Sequence, residues 1–276
     1  MKKLVLAGLS ILIVLSAVTV LMFSCNNGTG DNTDGSSGRP PEPETLNCVV
    51  QKSYPHDTSS YTEGLLIYNG SLYESTGNNG KSKLLKINLA TGKPEKEVKL
   101  DSIYFGEGIA ILHDTIYQLT YKNKVAFVYT VKDFKKIKEL PFSTESGEGW
   151  GMTTDGTYLI ATDGTSNIYY YEPSTFKLVK KITVTDAGTL SYNVNELEYI
   201  DGYLYANQWQ LPYILKIDPA NGQVVAKVDL TDQWNTVKQK DPHAEVLNGI
   251  AYDPASKKIY VTGKWWPELY EVQFSK

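Results

Sequence analysis

The sequence is poor in the residues that build covalent or metal-bound scaffolds. Its 276 residues include two cysteines and three histidines. Two cysteines cannot form the network of bridges that holds a disulfide-rich domain together. His56, His113 and His243 have no metal-ligand spacing, so the sequence contains no zinc motif.

Clustered positive charge and helical periodicity are lacking as well. The formal net charge is -4 and the basic residues are scattered, which argues against a nucleic-acid partner. After Phe23, no segment keeps the apolar period of a helix over three turns. The chain has 20 Tyr and 22 Gly instead, residues typical of strands and turns. This composition favours an all-β domain of many short strands.

The N-terminus has the pattern of an export signal. Residues 1–3 are positively charged at two positions, residues 4–23 carry no charge, and Ser24-Cys25 follow. The pattern predicts a lipoprotein signal peptide over residues 1–24, with the lipid on Cys25. An uncleaved membrane anchor is the alternative, because twenty apolar residues can span a bilayer. In both cases we expect export to the periplasmic or cell-surface side, with membrane contact only through the N-terminal anchor.

The polar segment that follows separates this signal from the folded domain. Residues 25–45 are rich in Asn, Gly, Asp, Ser and then Pro, and they predict a flexible tether. Residues 46–276 form the predicted domain. Cys48 has no partner once Cys25 is acylated, so we predict that it is a buried strand residue.

Five segments of the domain share one pattern, in which a strand beginning with Glu or Asn leads through a turn into a second strand. They are residues 63–73, 107–117, 148–158, 195–205 and 248–260. Their starts are 41 to 53 residues apart, which is the spacing of four-stranded propeller blades. Asn69-Gly70 is typical of a hairpin turn. The sequence therefore predicts a five-bladed β-propeller.

The fifth unit contains only three predicted strands. Residues 46–52 form a further predicted strand, which would complete the last blade and close the ring. An open sheet or a sandwich is the alternative. The repeated Glu-Gly or Asn-Gly pair disfavours both.

The residues that open the first strand of each blade should meet at one mouth of the central channel. They are Glu63, Glu107, Glu148, Asn195 and Asn248. Three carboxylates in one funnel repel one another, so at least one pKa should be raised unless a cation joins them. Such a cluster suits acid–base chemistry, or the binding of an ammonium group or a metal. The alternative is that these side chains only satisfy backbone groups.

Aromatic residues lie beside the same ring in the sequence. They are Tyr61, Tyr121, Trp150, Trp209 and Trp265. An aromatic wall over an acidic floor suits a small ligand with a positive end and an apolar or amide body. Lys264 would stabilise an oxyanion if it faces this pocket, and is otherwise a surface lysine. Trp234, in the insertion at residues 232–245, is either part of a lid or a packing residue.

These motifs resemble those of the plant and bacterial glutaminyl-peptide cyclotransferases. The similar segments are Tyr61-Thr-Glu-Gly-Leu65, Phe105-Gly-Glu-Gly-Ile109, Gly147-Glu-Gly-Trp-Gly151, Asn195-Glu-Leu-Glu198, Asn207-Gln-Trp209, Leu247-Asn-Gly-Ile-Ala251 and Thr262-Gly-Lys-Trp265. The resemblance implies a five-bladed propeller and an enzyme of the acyltransferase class. Its substrates would be peptides or proteins with N-terminal glutamine, which it would convert to pyroglutamate with release of ammonia. No cofactor is required, a structural cation in the channel is left open, and we expect a monomer.

The resemblance also assigns roles to residues. Glu107 is the implied proton shuttle, while Lys264 and Asn195 polarise or hold the amide as further catalytic residues. The predicted substrate-binding residues are Tyr61, Glu63, Tyr121, Glu148, Trp150, Trp209, Asn248 and Trp265, and no metal ligand is predicted. Plant members have Gln where this chain has Glu63, and Trp where it has Tyr121. We expect these departures to alter substrate preference or rate.

Two other functions are compatible with the sequence. A propeller without catalytic activity would bind a ligand or a protein on its aromatic face. A metal-dependent hydrolase or lactonase would use the acidic ring, and a chelator would abolish its activity. Since propellers support many functions, the fold alone does not choose among them.

Overall fold

The computed structural model describes residues 40–276. This part of the chain is an all-β structure with one short helix, which confirms the all-β part of the predicted fold. The predicted signal peptide, the lipidation site Cys25 and residues 25–39 of the tether lie outside the described residues and stay predictions. Within residues 40–276, no helix is long and apolar enough to cross a membrane.

Three sheets are four-stranded, antiparallel and ordered as in the chain. The first contains β2 (Thr62–Tyr68), β3 (Ser71–Thr76), β4 (Lys83–Asn88) and β5 (Lys93–Lys99). The second contains β6 (Gly106–Leu112), β7 (Thr115–Thr120), β8 (Val125–Thr130) and β9 (Lys136–Pro141). The third contains β10 (Met152–Thr154), β11 (Leu159–Thr162), β12 (Asn167–Tyr171) and β13 (Leu178–Thr183).

The fourth sheet has eight strands and joins the two ends of the domain. Its strands are β1 (Glu44–Pro55), β16 (Val194–Ile200), β17 (Tyr203–Gln208), β18 (Tyr213–Ile217), β19 (Val224–Asp229), β20 (Leu247–Asp253), β21 (Lys258–Gly263) and β22 (Glu268–Ser275). Their order is β16-β17-β18-β19-β1-β22-β21-β20. β1 pairs antiparallel with β22, with Cys48 opposite Phe274, as predicted for the two ends. It also pairs in parallel with β19, so β1 joins the four strands β16 to β19 to the three strands β20 to β22.

β1 begins two residues before the predicted domain boundary at residue 46. Cys48 lies on this strand but is only partly buried, so the expectation of a buried residue is wrong. Burial still raises the pKa of its thiol to about 12.

The remaining elements are a two-stranded hairpin of β14 (Thr185–Asp186) and β15 (Thr189–Leu190), and the helix α1 (Thr231–Lys240). No segment after Phe23 keeps an apolar period over three turns, and a helix of ten residues is too short to show one. Val237 is the buried residue of the helix. Trp234 packs, partly buried, against the hydrophobic cluster beside it, which favours packing over a lid.

In the first three sheets, burial decreases from the innermost strand to the outermost strand. β6 is buried at every residue, and β2 at its first five. β5, β9 and β13 are exposed and carry Lys or Glu on their open edges. Charged edge strands resist pairing with another chain. β19 alternates buried with half-buried residues because β1 covers its edge.

The hydrophobic core consists of clusters that lie between neighbouring sheets. One cluster joins the first sheet to the second through Leu66 and Ile109. Another joins the first sheet to β20 and β21, with Leu65 and Leu72 packed among Ala251 and Tyr260. The first and last strands of the domain are therefore brought together by packing as well as by pairing. This arrangement places the starts of β2, β6, β16 and β20 around one centre.

Candidate active site

Four innermost strands have a bulge at the same point near their start. The pairing register shifts between Thr62 and Gly64, Gly106 and Ile109, Val194 and Leu197, and Leu247 and Ile250. The residues within these bulges include Glu63, Glu107, Asn195 and Asn248. A bulge turns side chains out of the regular pleat, so it can direct a polar group from a buried strand toward a ligand.

Glycines next to these bulges let successive inner strands touch. A Cβ on Gly64 would lie 2.7 Å from the backbone nitrogen of Ile109. A Cβ on Gly108 would lie 2.2 Å from the backbone nitrogen of Met152 and 2.4 Å from the carbonyl carbon of Gly151. The contacts place Gly64, Gly108 and Gly151 at equivalent positions of successive sheets.

Trp150, and not Glu148, is therefore the third member of the ring of bulge residues. Trp150 precedes Gly151 as Glu107 precedes Gly108. The predicted alignment is displaced by two residues, because the pair Glu148-Gly149 lies just before the pair Trp150-Gly151 at the aligned position. Glu148 instead accepts a hydrogen bond from Trp150 Nε1 at 3.0 Å, and its other oxygen lies 3.2 Å from Lys122 Nζ. It can orient the indole from the side.

The bulge residues open into a cavity of about 230 Å³. Its lining residues are Tyr61, Glu63, Phe105, Glu107, Tyr121, Trp150, Asn195, Trp209 and Lys264. Eight of these are sequence-predicted site residues. Phe105 is the ninth lining residue and was not predicted as a site residue. The available signal was its position, since it is an aromatic residue two positions before Glu107.

A buried ion pair lies in the floor of the cavity. Lys264 Nζ is 2.7 Å from Glu63 Oε1, and both residues are almost fully buried. Asn248 Nδ2 donates to the other oxygen of Glu63 at 3.1 Å and to the carbonyl of Thr62 at 2.8 Å. Lys264 is thus a site residue and not a surface lysine, while Asn248 lies behind Glu63 outside the lining.

Both carboxyl groups of the cavity have raised pKa values. Burial raises the pKa of Glu63 to about 7, although the charge and hydrogen bond of Lys264 act in the opposite direction. Burial, and then the charge of Glu63, raise the pKa of Glu107 well above its usual range. The expectation of at least one raised pKa holds here even with a cation present, because burial outweighs the ion pair. The Glu63 carboxyl, with a pKa of about 7, can exchange protons near neutral pH, and Glu107 holds its proton more strongly than an ordinary glutamate.

The cavity walls are aromatic. The rings of Trp150 and Trp209 meet edge to face at 5.6 Å between centroids. Phe105 lies between Tyr61 at 6.2 Å and Tyr121 at 5.6 Å. These rings restrict water at the carboxyls and offer flat surfaces to a substrate.

The remaining tryptophans are further from the cavity. Trp265 is not in the lining, but its ring contacts Tyr61 edge to face at 5.1 Å. Trp266 is fully buried in the hydrophobic core and donates from Nε1 to the carbonyl of Glu245 at 2.9 Å. Trp265, a predicted substrate-binding residue, therefore lies behind Tyr61 and outside the lining.

A buried polar network that sequence reasoning missed supports the turn carrying Lys264. Glu74 accepts from Thr62 Oγ1 at 2.7 Å and lies 3.1 Å from His56 Nε2. His56 Nδ1 is 2.7 Å from the carbonyl of Trp266. The network connects β2 and β3 to the residues just after Lys264, and nothing in the local sequence around His56 signals it.

Comparison with known proteins agrees with this geometry. The family model described as glutamine cyclotransferase matches residues 16–274. A glutaminyl-peptide cyclotransferase of Arabidopsis thaliana is 36% identical over 267 residues, covering 96% of this chain and 82% of that protein. The crystal structure of Myxococcus xanthus glutaminyl cyclase superposes with a TM-score of 0.79 at 33% identity, covering 85% of this chain and 99% of that one.

The chain belongs to the glutamine cyclotransferase family. The resemblance predicted from the motifs is thereby confirmed. The family match covers every residue that lines the cavity.

For this glutamine cyclotransferase, residues 40–276 contain no group of three or more His, Cys, Asp or Glu arranged to hold a metal ion. A structural cation in the channel, which the sequence analysis left open, stays a prediction. Asn195, almost fully buried at the cavity, has an Oδ1 with no hydrogen-bond partner among the described residues. An N–H of a bound substrate would satisfy this acceptor.

Proposed function

We propose that the chain is a glutaminyl-peptide cyclotransferase, which converts the N-terminal glutamine of peptides or proteins to pyroglutamate and releases ammonia. The observation that carries the proposal is the pair of buried carboxyls, Glu63 and Glu107, beside Lys264 in an aromatic cavity. Membership of the family supports it.

The domain that holds this cavity is, in this proposal, a monomeric five-bladed β-propeller. The first three sheets would be three blades. The eight-stranded sheet would supply the other two, with β1 as the outer strand of the last blade and the link to the blade before it. The core cluster between the first sheet and β20–β21 supports closure of the ring.

The reaction needs no enzyme nucleophile. The amine nitrogen of the glutamine attacks its own side-chain carbonyl carbon, and a new N–C bond forms. The bond between that carbon and the amide nitrogen then breaks, and ammonia leaves. The attacking amine must lose one proton and the departing nitrogen must gain one, so a single carboxyl can serve both transfers.

Glu107 is the proposed shuttle. Burial and the charge of Glu63 raise its pKa, which favours the protonated carboxyl in the empty site, and the arrival of a substrate ammonium group would lower that pKa again, since an opposite charge favours the carboxylate. The carboxylate would accept one proton of the ammonium, which frees the attacking amine, and pass it to the amide nitrogen. It would then accept the second proton from the same amine nitrogen after the N–C bond has formed, and this proton leaves with the ammonia as ammonium.

Lys264 and Asn195 are proposed to hold the amide. Lys264 is charged and almost fully buried, and Coulomb forces are strong in such surroundings, so it can stabilise the tetrahedral oxyanion. The unpartnered Oδ1 of Asn195 would accept from an N–H of the substrate. Substrate binding is assigned to Glu63, Tyr61, Tyr121, Trp150 and Trp209 in the lining, with Glu148, Asn248 and Trp265 acting from behind it.

The direct test is ammonia release from a glutamine-initiated peptide by the purified full-length chain. We expect release above the spontaneous rate, and none from the matching peptide that begins with glutamate. Glu107→Gln should lower kcat at least about 100-fold, because one general acid–base group contributes about 10²–10⁴-fold. Glu97→Gln, on an exposed strand, is the matched control.

No release between about pH 5 and about pH 9 would overturn the proposal. Peptide binding without turnover would favour the binding propeller instead, and loss of turnover with a chelator would favour the metal-dependent reading. Full activity in Glu107→Gln would transfer the shuttle to Glu63.

A further inference from the structure

Glu196 breaks the pattern of glycines that surrounds the cavity floor. The residues after Glu63, Glu107 and Asn248 are Gly64, Gly108 and Gly249, and Gly151 follows Trp150. In β16 the residue after Asn195 is Glu196. A Cβ on Gly151 would lie 2.6 Å from Cα of Glu196, so Glu196 occupies the position in its strand that glycine occupies in the others.

The side chain of Glu196 connects two strands other than its own. Oε1 accepts from the backbone N–H of Leu65 in β2 at 3.2 Å, and Oε2 accepts from that of Ile250 in β20 at 2.8 Å. Leu65 lies two residues after Glu63, and Ile250 two residues after Asn248. The residue is fully buried.

We infer that Glu196 is the positioning residue of the active site. It fixes the strand that carries Glu63 and the strand that carries Asn248 to its own strand, directly after Asn195. The three polar residues of one side of the cavity are thus held in register by one carboxyl group that touches no substrate. The inference rests on the proposed cyclotransferase function.

The bulges explain why such a connection is needed. At each bulge the strand ladder is interrupted, so regular pairing does not hold Glu63 or Asn248 in place. Innermost strands also have one unpaired edge, whose N–H groups must find an acceptor when buried. Glu196 supplies that acceptor on both sides at once. A displacement of about 1 Å at reacting groups costs about 100-fold in rate.

Glu198 is a matched control on the same strand. It is also buried, and burial raises its pKa to about 8. It accepts from the N–H of Tyr252 at 3.1 Å and from Thr153 Oγ1 at 2.8 Å. Like Glu196 it has two hydrogen bonds to other strands, but its partners lie further along those strands from the bulge residues.

The test compares Glu196→Gln with Glu198→Gln in the full-length chain. In each variant a side-chain NH₂ replaces one accepting oxygen, so one donor is left facing another. We expect Glu196→Gln to lower kcat for a glutamine-initiated peptide about 10- to 100-fold, with KM within about twofold of wild type, because the aromatic walls are not bonded to Glu196. Glu198→Gln should keep kcat within about twofold at a similar loss of thermal stability.

Backbone amide hydrogen exchange gives a second readout that does not depend on turnover. Exchange of Leu65 and Ile250 should accelerate in Glu196→Gln and stay at the wild-type rate in Glu198→Gln. Unchanged kcat in Glu196→Gln, or an equal fall in both variants, would overturn the positioning role while the wild-type chain still releases ammonia. Absence of release by the wild-type chain would overturn the proposed function, and this inference with it.

Discussion

Glu63 should make the stability of the folded chain depend on pH. Burial raises its folded-state pKa to about 7 from the ordinary value of 4.5, against the influence of Lys264. Between these two values, the folded chain holds a proton at Glu63 that the unfolded chain has lost. The free energy of unfolding from this group is therefore highest below pH 4.5 and falls as pH rises through about 7.

The size of the effect follows from the distance between the two pKa values. The difference from 4.5 to about 7, at about 1.4 kcal/mol for each pH unit, gives about 3 to 4 kcal/mol. Since both members of the ion pair are almost fully buried, solvent screening reduces this value little. The charge of ionised Glu63 also raises the pKa of Glu107, and this shift too lowers the free energy of unfolding as pH rises.

Urea unfolding of the wild type and of Glu63→Gln, followed by tryptophan fluorescence, measures the effect. The stability difference, wild type minus variant, should fall by about 3 to 4 kcal/mol from about pH 4.5 to about pH 8. Taking a difference removes the contribution of groups that do not interact with Glu63. The part of the pKa shift of Glu107 that the charge of Glu63 causes stays in the difference and also lowers it as pH rises. For Glu97→Gln, on an exposed strand, the same difference should change by less than about 1 kcal/mol.

A stability difference that stays level, or that rises with pH, would refute the reasoning. It would mean that Lys264 keeps Glu63 ionised throughout, and that the ion pair outweighs burial. Glu63 would then be a fixed negative charge for a substrate ammonium group and could not take over a proton transfer.

Two further substitutions test the packing and the wall of the cavity. Gly108→Ala should lower the free energy of unfolding by about 3 kcal/mol or more, because its Cβ would meet the backbone of the third sheet at 2.2 Å. Gly156→Ala, at an open turn, should cost about 1 kcal/mol, and equal melting temperatures would contradict the contact. Trp209→Ala should raise KM at least about tenfold through loss of a wall. Trp234→Ala, outside the cavity, should leave KM unchanged, and a similar KM in both variants would remove Trp209 from the substrate site.

The sequence contained enough information for the all-β class and for the pairing of the domain ends. Turn residues and repeated strand starts are local signals, and they located the turn Asn69-Gly70 between β2 and β3 as observed. The short helix α1 was missed because Val237 is its single buried residue, so no apolar face is visible in the sequence. Edge pairing of β1 with β19 depends on two distant segments and has no local signal.

Most of the cavity was predictable because its residues follow one repeated pattern. Glu148 shows the limit of the prediction, since the adjacent pairs Glu148-Gly149 and Trp150-Gly151 both fit the pattern and only the contact between Gly108 and Gly151 selects the second. Glu196 was invisible for a related reason. It stands where the pattern has glycine, and its meaning lies in hydrogen bonds to strands more than fifty residues away in either direction.

β1 has a consequence for how the chain reaches its folded state. It is the first strand of the described residues, yet both of its partners, β19 and β22, come from the last sheet. During synthesis its polar backbone edges stay without their native partners until nearly the whole domain has been made. The loop that this pairing closes contains almost every residue of the cavity, so acid, base and aromatic wall meet only when the earliest and latest segments have joined.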